Sequence, residues 1–145
     1  MGITIRDAGP QDAPAIVTLV QELAESQGEP NAGSEAYVKE YLAFTGSHVL
    51  LAEEGGRPIG LLSYAVRPNL WHAGSVATIE ELVVERDQRG RGVGSALMSE
   101  LLDRLVAAGC IEVSVSTMLD NEGAKRFYRS HGFVDEFVYL ERHFA

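Results

Sequence analysis

The stretch Arg89-Gly90-Arg91-Gly92-Val93-Gly94 stands between a strand-like run ending at Val84 and an amphipathic run beginning at Gly94. Glycines at such a point let the backbone turn tightly and leave N–H groups unshielded by Cβ atoms. Directly before a helix, those groups point the same way as the helix's own unsatisfied donors. The result is an anion cradle suited to a phosphate or pyrophosphate. Arg89 and Arg91 add two cations able to grip phosphate oxygens. A dinucleotide fingerprint, Gly-x-Gly-x-x-Gly, is not met, because Ser95 stands where the last glycine should fall. The Gly-Lys-Ser/Thr of a Walker A loop is absent too. The plain structural alternative is a glycine-rich loop with a solvated pair of charges.

Outward from this turn, the two periods of strands and helices alternate. Val76 to Val84 predicts a long strand, preceded by a loop over Arg67 to Ser75 that carries Trp71. Earlier, His48 to Glu53 and Ile59 to Val66 predict strands joined by a hairpin turn at Glu54-Gly55-Gly56-Arg57-Pro58. Ile3-Thr4-Ile5-Arg6 alternates as a short first strand. Asp12 is placed to cap a helix bearing Ile16, Leu19, Val20 and Leu23, and Ser34 to cap a second with Val38, Tyr41 and Leu42. Downstream, Ala96, Leu97, Leu101, Leu102 and Leu105 repeat helically until Gly109 stops them. Ile111 to Ser116 predicts a strand, Ala124 to Ser130 a helix ended by His131-Gly132, and Phe133 to Phe144 a last strand or two. This order belongs to a mixed α/β fold. No repeat, linker or low-complexity tract interrupts it, so residues 1–145 are expected to form a single domain.

A chain of 145 residues can bury a proper core without staples. The lone Cys110 excludes an intramolecular disulfide and a Cys-cluster zinc site. His48, His72, His131 and His143 lack metal-like spacing, so no metal is expected. His131 reads as a helix-end residue, and His72 as a loop residue that could line a pocket. No run approaches the roughly 18 continuous apolar residues of a membrane span, and no signal-peptide core follows Met1. A cytoplasmic protein without a membrane partner is the expectation. A net charge of −9 disfavours nucleic acid, whose phosphates supply most of that affinity. The acid is segregated: residues 1–54 hold nine acids and two bases, whereas 55–145 hold twelve and ten. Half of the 12 bases fall within Arg86 to Arg91 and Lys125 to Arg129.

Arg89, Gly92 and Gly94 meet the pattern Arg/Gln-x-x-Gly-x-Gly/Ala, and the chain resembles the GCN5-related N-acetyltransferase (GNAT) superfamily there. The resemblance extends along nearly the whole chain. Ile79-Glu80-Glu81-Leu82-Val83-Val84 looks like the family's fourth strand, and Asn121 to Phe133, with Ala124, Phe127-Tyr128 and Gly132-Phe133, looks like its C-terminal motif. Glu80 to Val84 with the Phe127-Tyr128 helix also looks like the small-molecule amine branches, such as diamine and aminoalkylphosphonate acetyltransferases. The implied fold is a twisted, mostly antiparallel sheet, splayed between strands 4 and 5 and flanked by helices on both faces. The implied partners are acetyl-CoA as donor, a primary amine as acceptor and, commonly in this family, a second copy in a homodimer.

The resemblance also implies roles for residues. Leu82, Val83 and Val84 would pair through their backbone with pantetheine, in addition to any core role. Arg89, Gly90, Arg91, Gly92, Val93, Gly94 and Ser95 would cradle the pyrophosphate, with Lys125 nearby. Asn121 would reach the cofactor, or cap the last helix, or both. Transfer to an amine needs the amine deprotonated, the carbonyl oxygen held and the thiolate protonated. Tyr128 is the candidate acid, since a phenol with a pKa of about 10 is protonated at neutral pH; core packing is its structural alternative. Glu80 and Glu81 are the candidate carboxylates for the amine, with Glu81 slightly preferred. Successive strand residues point to opposite faces, so at most one of them is expected over the site. The family holds the carbonyl oxygen with a backbone N–H, expected here from Val83. Two rival expectations remain: acetylation of a protein or peptide amine, and a non-catalytic acyl-CoA-binding regulatory module.

Overall fold

Strand pairing in the computed structural model, which describes residues 2–31 and 33–144, follows the order of the chain. Five strands, β1 (Thr4–Asp7), β2 (Ser47–Glu54), β3 (Arg57–Asn69), β4 (Gly74–Val84) and β5 (Glu112–Val115), form one sheet in the order β1-β2-β3-β4-β5. The first four are antiparallel neighbours, and β5 joins β4 in parallel. Parallel pairing needs a crossover, supplied here by helix α3 (Val93–Ala107). Helices α1 (Ala13–Gln27) and α2 (Glu35–Ala43) precede β2, and α4 (Glu122–Ser130) follows β5. The sheet is open and carries helices on both faces, as expected.

Alternation along the central strands divides the core in two. Leu50, Leu62, Tyr64, Ala77 and Ile79 meet Val93, Leu97, Met98, Leu101 and Leu105 of α3. Val49, Leu51, Leu61 and Val83 meet Ile16 and Leu19 of α1 and Val38 of α2. At Gly60 a Cβ would lie 3.1 Å from Val93 and 3.2 Å from the Val83 carbonyl oxygen, so the glycine lets the start of α3 descend onto the end of β4.

Local signals placed the caps and turns. Ser34 accepts from the Tyr37 N–H at the start of α2, and Gly109, in the left-handed region, follows α3. Three expectations are overturned. The region 67–75 is mostly strand, with Arg67, Pro68 and Asn69 opposite Val76, Ser75 and Gly74. Pro68 is tolerated because β2 reaches only to the register of Ala65, leaving no partner for the missing N–H on that side. Asp12 precedes α1 but its carboxylate does not cap it. It takes a bidentate ion pair from Arg6, both contacts 2.8 Å, and the Gly9 N–H. Finally, residues 133–144 form no strand. A strand persists only on a ladder partner, and β5, the outermost strand, pairs with β4 alone.

Candidate active site

Where β4 parts from β5, the sheet opens a notch. The two pair only from Val76–Ile79 to Glu112–Val115, so Glu80 to Val84 continue with β3 on one side and no strand on the other. The N–H groups of Glu81 and Glu85 both reach β3, to Ser63 Oγ at 2.9 Å and the Ile59 carbonyl at 2.8 Å. Antiparallel alternation then aims the Val83 N–H at β3 also, and turns the N–H and C=O groups of Leu82 and Val84 into the notch. The donor expected from Val83 is therefore spent in the ladder, and Leu82 and the Val84 N–H carry the free edge, while the Val84 carbonyl is taken by Arg89. Val83 itself is a core residue, and Leu82 and Val84 pack against the opposite core.

The β4 edge runs into the glycine turn. Gly90 and Gly92 have φ of 77° and 83°, in the left-handed region, and a Cβ at either would meet nothing within 4 Å. The concavity is therefore open, and glycine is needed there for backbone shape. Helix bonding begins at Ala96 N–H to the Gly92 carbonyl, which leaves the N–H groups of Val93, Gly94 and Ser95 without intrahelical acceptors. Arg89 donates to the Val84 carbonyl at 3.0 Å. Arg91 pairs instead with Glu54 and Gln88, so the two arginines are not equivalent. Ser95 Oγ lies 3.3 Å from His131 Nε2, bringing a histidine read only as a helix end beside the cradle. No sequence signal links those two positions.

Helix α4 closes this side. Asn121 Oδ1 accepts from Ala124 N–H and caps the helix, while Lys125 Nζ lies 3.6 Å from Glu122. Tyr128 is half-buried, edge-on to Phe127 and Phe133, and burial pushes its phenol pKa up. Phe127 and Tyr128 both pack against the α3 side of the core.

On the other face, a cavity of about 330 Å³ lies between α1, α2 and the sheet. Ile16, Val17 and Val20 of α1 and Tyr37, Val38 and Tyr41 of α2 form its walls, with Asn31 and Gly33 from the intervening loop. Val49, Leu61, Ser63, Glu80 and Glu81 line it from the sheet. Both carboxylates thus face one cavity, against the expectation from simple alternation. The cause is a β-bulge: Ser63 pairs with Glu81 and Tyr64 with Ile79, leaving Glu80 as an extra residue. The extra residue shifts parity, so Ile79 belongs to the α3 side and Val83 to the α1 side. Ser63, only 2% exposed, accepts the Glu81 N–H and donates to its carboxylate. Glu80 has its pKa raised, first by burial and then by the Glu81 charge. The buried Tyr41 hydroxyl has no hydrogen-bond partner among the described residues; burial first, then Glu81 and Glu80, push its pKa up to about 12. Tyr128 does not line the cavity, and His72 pairs with Glu112 at the β3–β4 hairpin instead. Among the described residues no cluster of three His, Cys, Asp or Glu could hold a metal, and no helix is long and apolar enough to cross a membrane.

A model of the acetyltransferase (GNAT) family matches residues 17–133, which include β4, the glycine turn and α4. An aminoalkylphosphonate N-acetyltransferase of Salmonella typhimurium is 28% identical over 129 residues, 89% of this chain and 83% of that protein. Glucosamine 6-phosphate N-acetyltransferase 1 of Oryza sativa subsp. japonica is 28% identical over 130 residues, 87% of this chain and 77% of that one. A solved structure from Bacillus halodurans C-125, described as a transcriptional regulator, superposes with a TM-score of 0.87 at 27% identity, covering 99% of this chain and 100% of its own.

Proposed function

We propose, from the premise that this chain belongs to the acetyltransferase (GNAT) family, that it moves an acetyl group from acetyl-CoA to a primary amine on a small cationic molecule. One observation carries this: at β4, a bare strand edge running into an open glycine cradle meets a cavity holding two carboxylates. The residues fit acetyl-CoA. The free N–H groups of Val93, Gly94 and Ser95, with Arg89, suit its pyrophosphate, and the Leu82 and Val84 backbone suits an amide-bearing pantetheine arm. Gly90 and Gly92 shape the cradle, while Arg91, Asn121 and Lys125 frame it.

Bound acetyl-CoA supplies the thioester whose acyl carbon the amine attacks directly in a ternary complex. The chain's residues prepare that attack. Glu81, fixed by Ser63, orients the incoming ammonium. Glu80, with its raised pKa, receives the ammonium proton through water, since a carboxylate is far less basic than an amine of pKa about 10. The Leu82 N–H holds the carbonyl oxygen. Tyr128, its phenol kept protonated by burial, holds the proton that the departing thiolate takes.

On this proposal residues 1–145 act as one catalytic domain of a cytoplasmic homodimer. The second copy is supported by Val134, Phe137, Val138, Tyr139, Leu140 and Phe144, which are 68–92% exposed. The three aromatics of each copy, at about 150–250 Å² each, would supply roughly 900–1,500 Å², near the 1,200–2,000 Å² of stable interfaces. The test of function is incubation with acetyl-CoA and a panel of primary amines, following CoA thiol and N-acetylated product. Product from a small amine is expected. Acetyl-CoA binding without product from any amine would turn the assignment to an acyl-CoA-binding regulatory module.

A further inference from the structure

We infer that the acceptor is a primary amine on a short, apolar, uncharged body, an alkyl- or aralkylamine, and not one that bears a phosphate, phosphonate or carboxylate. The inference rests on the cavity between α1, α2 and the sheet being the acceptor site. Two features of its lining decide the class. Charge comes first: among the described residues that line it, Glu80 and Glu81 are the only acidic groups and none is Lys, Arg or His. A phosphate or phosphonate group there would face two carboxylates with no cation to neutralise it, and like charges at such range disfavour binding strongly. Wall chemistry comes second. Away from the carboxylates, Ile16, Val17, Val20, Val38, Val49 and Leu61 offer aliphatic surface, which rewards apolar groups and outweighs the polar contribution of Asn31 and Tyr37 to the wall.

The polar end suits a primary ammonium. Such a group has three N–H donors, and the Glu80 and Glu81 carboxylates that line the cavity at the bulge offer the oxygens to accept them.

The test is steady-state kinetics of the full chain at saturating acetyl-CoA. One series runs through n-alkylamines from ethylamine to hexylamine, with phenethylamine. The comparison set is an aminoalkylphosphonate, an amino sugar phosphate and a triamine. The expected result is an acceptor KM that falls about fourfold per added methylene until the cavity is full. The comparison set should have kcat/KM at least about tenfold below the best alkylamine. A KM independent of chain length, or a phosphonate or triamine preferred over the alkylamines, overturns the inference while acetyl transfer stands. Absence of product from any amine overturns the acetyl-transfer assignment itself, and the inference with it.

Discussion

Ser63→Ala tests whether the bulge and the carboxylate pair are one device. At the bulge the Glu81 N–H finds a side chain, Ser63 Oγ at 2.9 Å, where a regular ladder would offer a carbonyl. The same hydroxyl donates to the Glu81 carboxylate, at a position 2% exposed. Alanine removes both bonds and leaves a buried N–H unpaired, which costs about 1–3 kcal/mol. For a chain of this size each kcal/mol lowers Tm by roughly 2–4 °C, so a fall of about 2–12 °C is expected. The freed carboxylate loses a bond to a charged group worth about 1.5–3 kcal/mol, which sets a ceiling of about 10–100-fold on the drop in acceptor kcat/KM. The acetyl-CoA KM should be unchanged, because Ser63 lies on the opposite side of β4 from the notch. Thermal melts and two-substrate kinetics read both effects. A variant that melts with the parent and retains acceptor kcat/KM would refute the coupling.

Tyr128→Phe should lower kcat and spare acetyl-CoA affinity measured by calorimetry; unchanged turnover removes Tyr128 from the mechanism. The alkaline limb of the parent's kcat profile should lie above the ordinary phenol range near pH 10, since burial raises that pKa. The acid limb of kcat/KM should lie above the free glutamate value of about 4.3, because Glu80 must be ionised and its pKa is raised. Glu81→Gln removes one cause of that shift, so the limb should move to lower pH, and an unmoved limb would detach Glu80 from it. Asp12 works in the opposite sense: Arg6 chiefly lowers its pKa, so its contribution to stability is complete above the unfolded value of about 3.9 and is lost as pH falls through the folded one. Asp12→Asn should therefore flatten the acid side of a Tm–pH plot, and an unchanged slope would discount the pair. Leu140→Asp should yield a monomer by light scattering if the 133–144 segment joins two copies; a parent that is itself monomeric sinks that proposal.

What was legible in the sequence was whatever a few neighbouring residues decide. Ser34 caps α2, Gly55-Gly56 turn β2 into β3, and Gly109 follows α3, each through local backbone chemistry. The glycine turn was legible for the same reason, since positive φ at Gly90 and Gly92 is a property of those residues and their chain neighbours. Features settled by a partner elsewhere were not. Pro68 reads as a strand breaker until β2 is seen to stop short of it, and Phe133 to Phe144 reads as a strand although no strand lies beside it. Asp12 has the composition of a cap, yet Arg6 and the Gly9 N–H occupy both of its oxygens.

The carboxylate pair shows how far one such partner reaches. A period of two puts Glu80 and Glu81 on opposite faces, and the rule fails here by a single unpaired residue. From Glu81 onward every side chain of β4 lies on the face opposite to the one an unbroken period of two from Ile79 would give it, so Val83 turns to the α1 side and Leu82 and Val84 to the α3 side, and the bulge also decides which backbone groups of Leu82 and Val84 look into the notch. One irregularity therefore sets the acceptor charges on one face and the donor-binding edge beside them. The sequence does contain a trace of it. Ser63 is a hydroxyl inside the apolar run Ile59-Gly60-Leu61-Leu62-Ser63-Tyr64, where a regular ladder has no use for one. A buried serine in the middle of a central strand must bond something, and the group in need of a partner is the Glu81 N–H across the bulge.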